Sequence, residues 1–335
     1  MNELKRRIAV TVGAFGALAL VVCVTAPLVG STSISLARAF DRSIPFADNV
    51  DAQVFFVARL PRVVAAALVG AAFSIAGVVF QALLRNPLAS PDTLGVSAGA
   101  SLGAVTVIAF HLDVSAFGVS AIPIASFAGS AGAFGIIYLL AAARRRGTSS
   151  TVLLLAGIAI SALLSAFNRF ITLIADFTDT FRSVRWMMGS LDVGSYREIA
   201  AALVPMSAAF AIIFTLPRVL DLVSLGAEAA RSRGVDVKRA ERLALVGASL
   251  STGAAVSLGG PIPFVGIIVP HMVRLMVGAD HRVVLPASAL FGASFLVGCD
   301  LVARTVFGPI EPPVGTVTAI IGGPFFLWLL FRRGF

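Results

Sequence analysis

The side chains that most often carry out chemistry are few in this sequence and far apart. Its three histidines are His111, His271 and His281, scattered over the chain. Its two cysteines, Cys23 and Cys299, lie in separate apolar stretches. A metal site needs several histidine, cysteine or carboxylate ligands at close spacing. We therefore predict no metal site, and we expect both cysteines to be small buried apolar side chains.

A nucleotide-hydrolysing site is also missing from the sequence. A G-x-x-x-x-G-K-[ST] loop, which cradles the phosphates of ATP, ends in a lysine followed by a hydroxyl residue. No such run occurs, and the only lysines are Lys5 and Lys238. We expect the chain to bind no cofactor and to have no ATPase site of its own.

The carboxylate of Asp300 lies deep inside the ninth predicted membrane segment. Arg304 follows Asp300 by one helical turn, a spacing at which the two charges compensate each other. An intramembrane protease would need a Ser/His or paired Asp arrangement, and an ion-coupled carrier would need further acids or histidines along a path. A lone structural ion pair is favoured, so a membrane enzyme and a secondary carrier are the weaker alternatives.

The composition indicates which kind of element must position these residues. The chain has 335 residues, 58% hydrophobic and 13% charged, with a mean hydropathy of +0.96. Soluble domains carry roughly 25% charged residues. We predict an all-α polytopic membrane protein that forms a single transmembrane domain over residues 1–335.

Hydropathy predicts ten membrane segments. The first is interpreted as an uncleaved helix, because its apolar run exceeds the roughly 7–15 residues of a cleavable signal. The segments are 8–29, 61–84, 94–110, 119–143, 151–174, 199–217, 240–258, 264–279, 283–305 and 314–331.

The basic residues indicate the orientation of these segments. An even number of segments places both termini on one side, and most of the 26 Lys and Arg residues, including Arg144, Arg145 and Arg146, fall on that side. The positive-inside rule makes it cytoplasmic. Because the basic residues are spread over several loops, a nucleic-acid-binding patch is not indicated.

A Pro-rich corner interrupts the chain between the second and third segments, from Asn86 to Asp92. Such corners are costly next to lipid, since their backbone groups are unpaired, unless they line a cavity or are buried in protein. Pro261 and Pro263 form a second corner before the eighth segment. Interrupted segments at corresponding places indicate inverted repeats around a central pathway.

Three glycines recur every four residues at the start of the third segment. Gly95, Gly99 and Gly103 would share one helix face, where small residues let helices approach closely. We predict close packing along this face beside the pathway.

A polar stretch at about residues 218–242 follows the sixth segment. Strong helix formers there lie between two glycines, which predicts a short exposed helix. The residues are Gly226, Ala227, Glu228, Ala229, Ala230, Arg231, Ser232, Arg233 and Gly234. A surface for a cytoplasmic partner and a solvated loop are both compatible with this pattern.

Three arginines lie where the topology would place the outer side. Arg59 and Arg62 flank Pro61, and Arg304 lies near the outer end of the ninth segment. Positive charge there opposes the topology rule and needs compensation. Lipid headgroups, a local acid such as Asp51, or an acidic docking protein could provide it.

Several runs of the sequence resemble the FecCD-type permeases, in the same order along the chain. These permeases are the membrane subunits of ABC importers for iron–siderophore complexes, haem and cobalamin. The similar runs are RLPRVVAAALVGAAFSIAGVVFQALLRNPLASPDTLGVSAGASLGA from Arg59, WMMGSL from Trp186, LGAEAARSRGVDV from Leu225, residues 259–304, and PPVGTVTAIIGGPFFLWLL from Pro312.

The resemblance implies a type II ABC importer permease fold in a bacterial inner membrane, and it implies partners. A second copy of the chain would complete the pathway, with membrane lipid around it. Two cytoplasmic ATPase subunits, which hold ATP and Mg²⁺, would dock on the helix around Glu228–Arg233. A periplasmic or lipid-anchored binding protein would deliver the substrate.

The resemblance also implies roles for particular residues. Arg59, Arg62 and Arg304 would meet glutamates of the binding protein. Asn86 and Leu88 would close the pathway toward the cytoplasm.

Two positions depart from the family pattern, and the substrate is open. Ala227 replaces a frequent acid, and Pro312 replaces the usual Leu of an E-L-P-x-G turn. An iron chelate, siderophore or haem, is the first expectation for the substrate, and cobalamin is the second.

Overall fold

The structure, a computed structural model, describes residues 3–112, 115–116, 118–142, 150–306 and 311–333. The basic run Arg144–Arg146 lies outside the described residues. Fifteen α-helices form within them, together with one short antiparallel strand pair, Ser115–Ala116 (β1) and Val119–Ser120 (β2). The helices are α1 (Glu3–Thr25), α2 (Leu36–Ala39), α3 (Val50–Gln53), α4 (Leu60–Leu84), α5 (Val96–Ala109), α6 (Ala121–Ala142), α7 (Ser150–Ile174), α8 (Phe177–Met187), α9 (Tyr196–Phe214), α10 (Pro217–Ser224), α11 (Ala227–Arg231), α12 (Val237–Gly259), α13 (Val265–Val277), α14 (His281–Val306) and α15 (Val314–Arg333).

The apolar helices correspond in number and order to the predicted membrane segments. Seven helices of the described chain are long and apolar enough to span a membrane, and three shorter apolar helices, α5, α13 and α15, complete the ten. The prediction of an all-α multi-pass membrane protein is confirmed. Of the two cysteines, Cys299 is buried and Cys23 is half-buried, and neither forms a disulfide.

The second membrane segment begins earlier than residue 61, where the sequence placed its start. Helix continues from Val50 to Leu84, through a π-helical turn, Val54–Arg59, that joins α3 to α4. The amide of Leu60 donates to the carbonyl of Phe55, an i→i−5 bond. This turn lies just before Pro61, which has no N–H to donate to the helix, so the helix continues past the proline with a local change in its hydrogen-bond pattern.

Helices α4, α12 and α14 form the centre of the molecule. Between 67% and 83% of their apolar windows is buried, against 11–28% for α1, α6, α7 and α9. Gly70 of α4 lies against Gly292 of α14 so closely that an added Cβ would clash with its carbonyl oxygen. Gly77 lies in the same way against Gly266 of α13. Glycine at these positions therefore brings the central backbones together.

The two Pro-rich corners are partly buried in protein: Pro87 is exposed, whereas Ser90, Pro91, Gly260 and Ile262 are buried. In the first, a 3₁₀ turn, Pro91–Leu94, packs between Gly266 of α13 and Gly157 of α7. Burial raises the pKa of Asp92 in this turn above its ordinary value, although the Ser97 hydroxyl donates to its carboxylate.

The second corner contains two residues with positive φ, Gly260 and Phe264, and lies against Gly189. The first corner follows α4 and the second follows α12, which crosses the molecule in the opposite direction, and the two corners approach each other where Pro91 contacts Gly266. Each corner precedes a short helix, α5 or α13, which is the inverted arrangement predicted from the sequence.

Candidate functional site

The first candidate site is a small platform, made of α10 and α11, at the end of the molecule that also carries the start of α1. We call this the platform end. Helix α11 begins after Gly226 (φ +117°) and ends before Gly234 (φ +81°), so both turns use a conformation that glycine adopts easily. Ala230 is fully buried and packs with Val223 and Val237. The short helix predicted between two glycines is present.

The remaining side of α11 is exposed and charged. Glu228, Arg231 and Arg233 are all exposed, while Ala229 is half-buried. Ser232 is exposed, and its hydroxyl donates to the Ala229 carbonyl at 3.0 Å. An exposed surface with charges of both signs therefore lies at the platform end.

The opposite end of the molecule holds a cluster of four charged side chains, and we call it the arginine end. Arg62 Nε lies 2.8 Å from Asp300 Oδ1, and Arg62 Nη1 lies 2.7 Å from Glu311 Oε2. Arg304 Nε lies 2.9 Å from Asp300 Oδ2. We call Arg62, Asp300, Arg304 and Glu311 the arginine cluster. The predicted Asp300–Arg304 pair forms, but it is not the lone pair that the sequence indicated.

Arg59 and Arg304 also hold the segment that follows α1. Arg59 donates to the carbonyls of Pro27, at 3.2 Å, and Thr32. Arg304 donates to the carbonyls of Ala26 and Val29, both at 3.4 Å. Only 5% of Arg59 and 4% of Arg304 is exposed.

These contacts show what compensates the positive charge at the arginine end. Asp300 and Glu311 do so from within the chain, whereas Asp51 lies 3.8 Å from Arg38 instead. In this structure the three arginines mainly bind their own chain. Their role in docking a partner stays a prediction.

The two residues predicted to close the pathway lie in the first corner, at the platform end. Asn86 Oδ1 accepts a hydrogen bond from the Leu88 amide at 2.9 Å, which stabilises the turn. Both residues are half-buried. The preceding Arg85 has a positive φ of 48° and lies beside Gly226 of the platform.

The glycine stripe of the third segment divides into two parts. Gly99 and Gly103 face α6, where an added Cβ would clash with the carbonyls of Gly129 and Ala125. Gly95 lies outside the helix, because it has a φ of +72° and precedes α5, and it faces α7. The close packing is therefore present for Gly99 and Gly103, and a pathway beside them stays a prediction.

A cavity of about 790 Å³ lies between α5, α7 and α8. Its polar lining comes mainly from one stripe of α7, formed by Ser165, Asn168, Arg169 and Thr172. Asn168 Nδ2 donates to the Ala98 carbonyl of α5 at 3.3 Å. The spacing of three and four residues between polar side chains in an otherwise apolar segment is the signal by which the sequence could have indicated this cavity.

A second cavity, of about 520 Å³, lies between α6, α9 and α12 and is almost wholly apolar. Its walls include Phe127, Ala201 and Leu258. It has far less polar surface to offer a solute than the first cavity. The first cavity is therefore the better candidate for a pathway.

One group of side chains has the composition of a metal site. Ligand atoms of His111, Asp176 and Asp179 lie within 4.8 Å of one another, so the fold brings one histidine near two carboxylates that the sequence separates. Asp176 and Asp179 begin α8, where carboxylates stabilise a helix without a metal. Arg182 also lies 3.6 Å from Asp179. The helix start and the contact with Arg182 therefore explain why these carboxylates lie here.

Comparison with known families matches nearly the whole chain. The model of the FecCD transport family matches residues 18–332.

Two curated relatives and one solved structure illustrate what the chain is similar to. The cobalamin import system permease protein BtuC of Halobacterium salinarum is 44% identical over 279 residues, covering 82% of this chain and 72% of that protein. The hemin transport system permease protein HmuU of Yersinia pestis is 40% identical over 278 residues, covering 82% of each. A structure described as an inward-facing conformation of a metal-chelate type ABC transporter superposes with a TM-score of 0.83 at 29% identity, covering 96% of this chain and 98% of that one.

Proposed function

This chain belongs to the FecCD transport family, and from that membership we propose that it imports a metal chelate with energy supplied by separate ATPase subunits. It is a multi-pass permease of the ABC importer class. The observation that carries the proposal is the platform, because it presents an exposed charged helix in a chain whose sequence has no ATP-binding loop. Glu228, Arg231, Ser232 and Arg233, framed by Gly226 and Gly234, form the ATPase-docking face.

Movement of the platform would reach the membrane helices through its buried side. Ala230 and Val223 pack with Val237 at the start of α12, and Leu83 at the end of α4 packs against the same group. A displacement of α11 by nucleotide binding in a docked ATPase therefore acts on α4 and α12 directly. The corner at Asn86 and Leu88 directly follows α4, where such a displacement would open or close the pathway.

Two copies of the chain would form the pathway between them. Helix α7 carries a polar stripe toward the first cavity and an exposed apolar surface beside it, including Phe167, Phe170 and Leu173. A second copy of the chain or lipid would cover that apolar surface, because a large apolar patch is unfavourable in contact with water. The polar stripe would then face the pathway.

The chain would lie in a bacterial inner membrane with both termini and the platform in the cytoplasm, following its basic residues. The arginine end would then face outward and receive a binding protein. Arg62, with 15% of its side chain exposed, is the most accessible of the three arginines for an acidic partner.

The proposed cargo is an iron chelate of the siderophore or haem type. The haem-transporting relative and the metal-chelate transporter structure support this class. Cobalamin is the second candidate, favoured by the 44% identity to a cobalamin import permease. All three are bulky metal chelates, and a cavity of about 790 Å³ with few charges suits such cargo better than a small ion.

Copurification and uptake test the function. The solubilised chain should retain an ATPase subunit from its own organism, and cells should import haemin, ferric siderophore or cyanocobalamin only while ATP is present. Uptake that survives ATP depletion but stops when the ion gradient is collapsed would instead establish a secondary carrier.

The docking role of α11 has its own test. Glu228→Ala combined with Arg231→Ala should abolish uptake and ATPase retention while membrane insertion stays normal, because both side chains are exposed and insertion does not depend on them. Glu3→Ala with Arg6→Ala is the matched control, since it removes the same two charge types from the same end outside the platform. Full uptake in the first variant would exclude α11 as the docking helix.

A further inference from the structure

A hydrogen-bonded contact joins the platform to a membrane helix. Asp221, in the middle of α10, lies 2.6 Å from Nδ1 of His281, and the same carboxylate oxygen accepts from the His281 amide at 3.0 Å. A carboxylate only accepts, so Nδ1 carries the proton. His281 is the first residue of α14, and 6% of its side chain is exposed. Its Nε2 is buried and has no hydrogen-bond partner among the described residues.

The first turn of α14 depends on contacts from outside the helix. The first amides of any helix have no partner within it, and here Asp221 of another helix takes one and Asp280 takes another, that of Arg282 at 2.9 Å. Pro286 has no N–H, so the carbonyl of Arg282 lacks its usual i+4 donor. The turn is thus joined to the rest of α14 by one bond fewer than usual and is held to α10 instead.

Helix α14 reaches from this contact to the arginine cluster. Asp300 lies about 28 Å further along the helix at 1.5 Å per residue, where it contacts Arg62 of α4. Between the two ends, Gly292 packs directly on Gly70 and Ser74 of α4. The helix is therefore attached by charged groups at both ends and by close packing in the middle.

We infer that the Asp221–His281 contact is the latch through which a displacement of the platform moves α14 and, through α14, the arginine end. Asp221 and His281 are positioning residues: they touch neither nucleotide nor cargo, and they join the ATPase-docking element to the end that receives substrate. Arg282 lies near enough to Asp221 to attract its carboxylate, but its ion pair is with Asp280. The inference rests on the proposed function.

The test measures coupling in the assembled transporter, reconstituted in proteoliposomes with its ATPase subunits and binding protein. The readout is the number of cargo molecules imported per ATP hydrolysed, with haemin and cyanocobalamin as probes. Asp221→Ala and His281→Gln should each lower this ratio about tenfold, because the first removes the acceptor and the second moves the donor away from the Nδ1 position. The double variant should lose no more than either single one.

Two control variants separate coupling from mere stability. His281→Asn keeps an N–H at the position of Nδ1, so it should retain the ratio. Asp280→Asn removes the ion pair between Asp280 and Arg282 at the start of the same helix and leaves the Asp221–His281 contact in place, so it should lower the melting temperature and leave the ratio unchanged.

Each outcome decides between the two claims. If the wild-type transporter imports its probe in an ATP-dependent way and Asp221→Ala keeps the wild-type ratio, the latch is overturned and the proposed function stands. A ratio that falls equally in Asp280→Asn also overturns the latch, because a less stable start of α14 would then explain the loss by itself. Should no probe enter in an ATP-dependent way with wild-type protein, both claims fail.

Discussion

At the scale of single residues, the carboxylates of the arginine cluster compensate the positive charge of Arg62 and Arg304. Asp300 has no exposed side-chain surface and lies between Arg62 and Arg304. Removing one partner of a buried ion pair leaves the other charge uncompensated, which costs more than the pair itself contributes. The cluster is therefore a structural joint between α4 and α14, whatever partner it meets.

Asp300→Asn should be the most damaging conservative change in the cluster. It leaves Arg62 and Arg304 facing each other, and we expect a loss of about 3–5 kcal/mol in the free energy of unfolding, as for other broken buried pairs. Thermal unfolding in detergent measures it. Glu311→Gln is the control, because 33% of the Glu311 side chain is exposed and its loss should matter less. Equal melting temperatures for the two variants would contradict this account.

A second residue-scale prediction concerns pH at the start of α14. Arg282 hydrogen-bonds the Asp280 carboxylate and lowers its pKa below the ordinary value. A lowered carboxylate pKa contributes stability above the unfolded-state pKa of about 4, and that stability is lost as pH falls through the folded-state value.

The melting temperature of the wild type should therefore exceed that of Asp280→Asn near neutral pH, and the difference should shrink below about pH 4. Melting curves of both proteins from pH 7 to pH 3 measure it. A difference that stays constant over this range would exclude the ionised carboxylate as its cause.

At the scale of elements, close glycine contacts determine how α4, α13 and α14 pack. Without a hydrophobic force between helices in lipid, close packing and hydrogen bonds supply the association energy. Gly70 and Gly77 provide two such contacts along one helix, toward α14 and α13. This explains why α4 contains so many small residues at buried positions.

Gly77→Ala should destabilise the protein although alanine favours helix. Its Cβ would clash with the Gly266 carbonyl, so α4 and α13 would have to separate. Gly298→Ala is the matched control in α14, since no atom lies within 4 Å of its added Cβ, and it should be neutral or gain up to about 1 kcal/mol. The melting temperature of Gly77→Ala should fall below that of the wild type, and the melting temperature of Gly298→Ala should not.

Most helices of this fold could be predicted from the sequence. The ten apolar helices follow from hydropathy, the corners from proline, and α11 from alanine, glutamate and arginine between two glycines. Helix α8 was missed because its polar, amphipathic sequence carries no membrane signal. The partners of Arg62 were missed because Asp300 and Glu311 lie 238 and 249 residues away, and only the fold brings them together.

At the scale of the whole molecule, the burial of the helices indicates where a partner or lipid must lie. Helices α4, α12 and α14 are largely buried, while α7 and α6 each have 22% of their apolar window buried. The larger cavity opens beside α7 and the apolar one beside α9. A route along α7 therefore combines polar lining with an uncovered surface.

Filling the first cavity should block import without unfolding the protein. Ser165→Trp places a large side chain among the polar residues of α7, and we expect uptake to fall at least about tenfold while expression and ATPase retention stay normal. Ala201→Trp fills the apolar cavity instead and should leave uptake close to the wild-type rate. Uptake assays in cells compare the two, and a reversed ranking would move the route to the second cavity.

The way α11 is bounded has a consequence for engineering. Its charged face is one continuous peptide, from Gly226 to Gly234, and both ends turn at glycines with positive φ. A peptide that keeps both glycines and the buried Ala230 should be exchangeable between relatives, because Ala230 makes the contacts with the surrounding helices. If α11 is the docking helix, we expect a chimera carrying another permease's peptide, with an acid in place of Ala227, to bind the ATPase subunit of that permease.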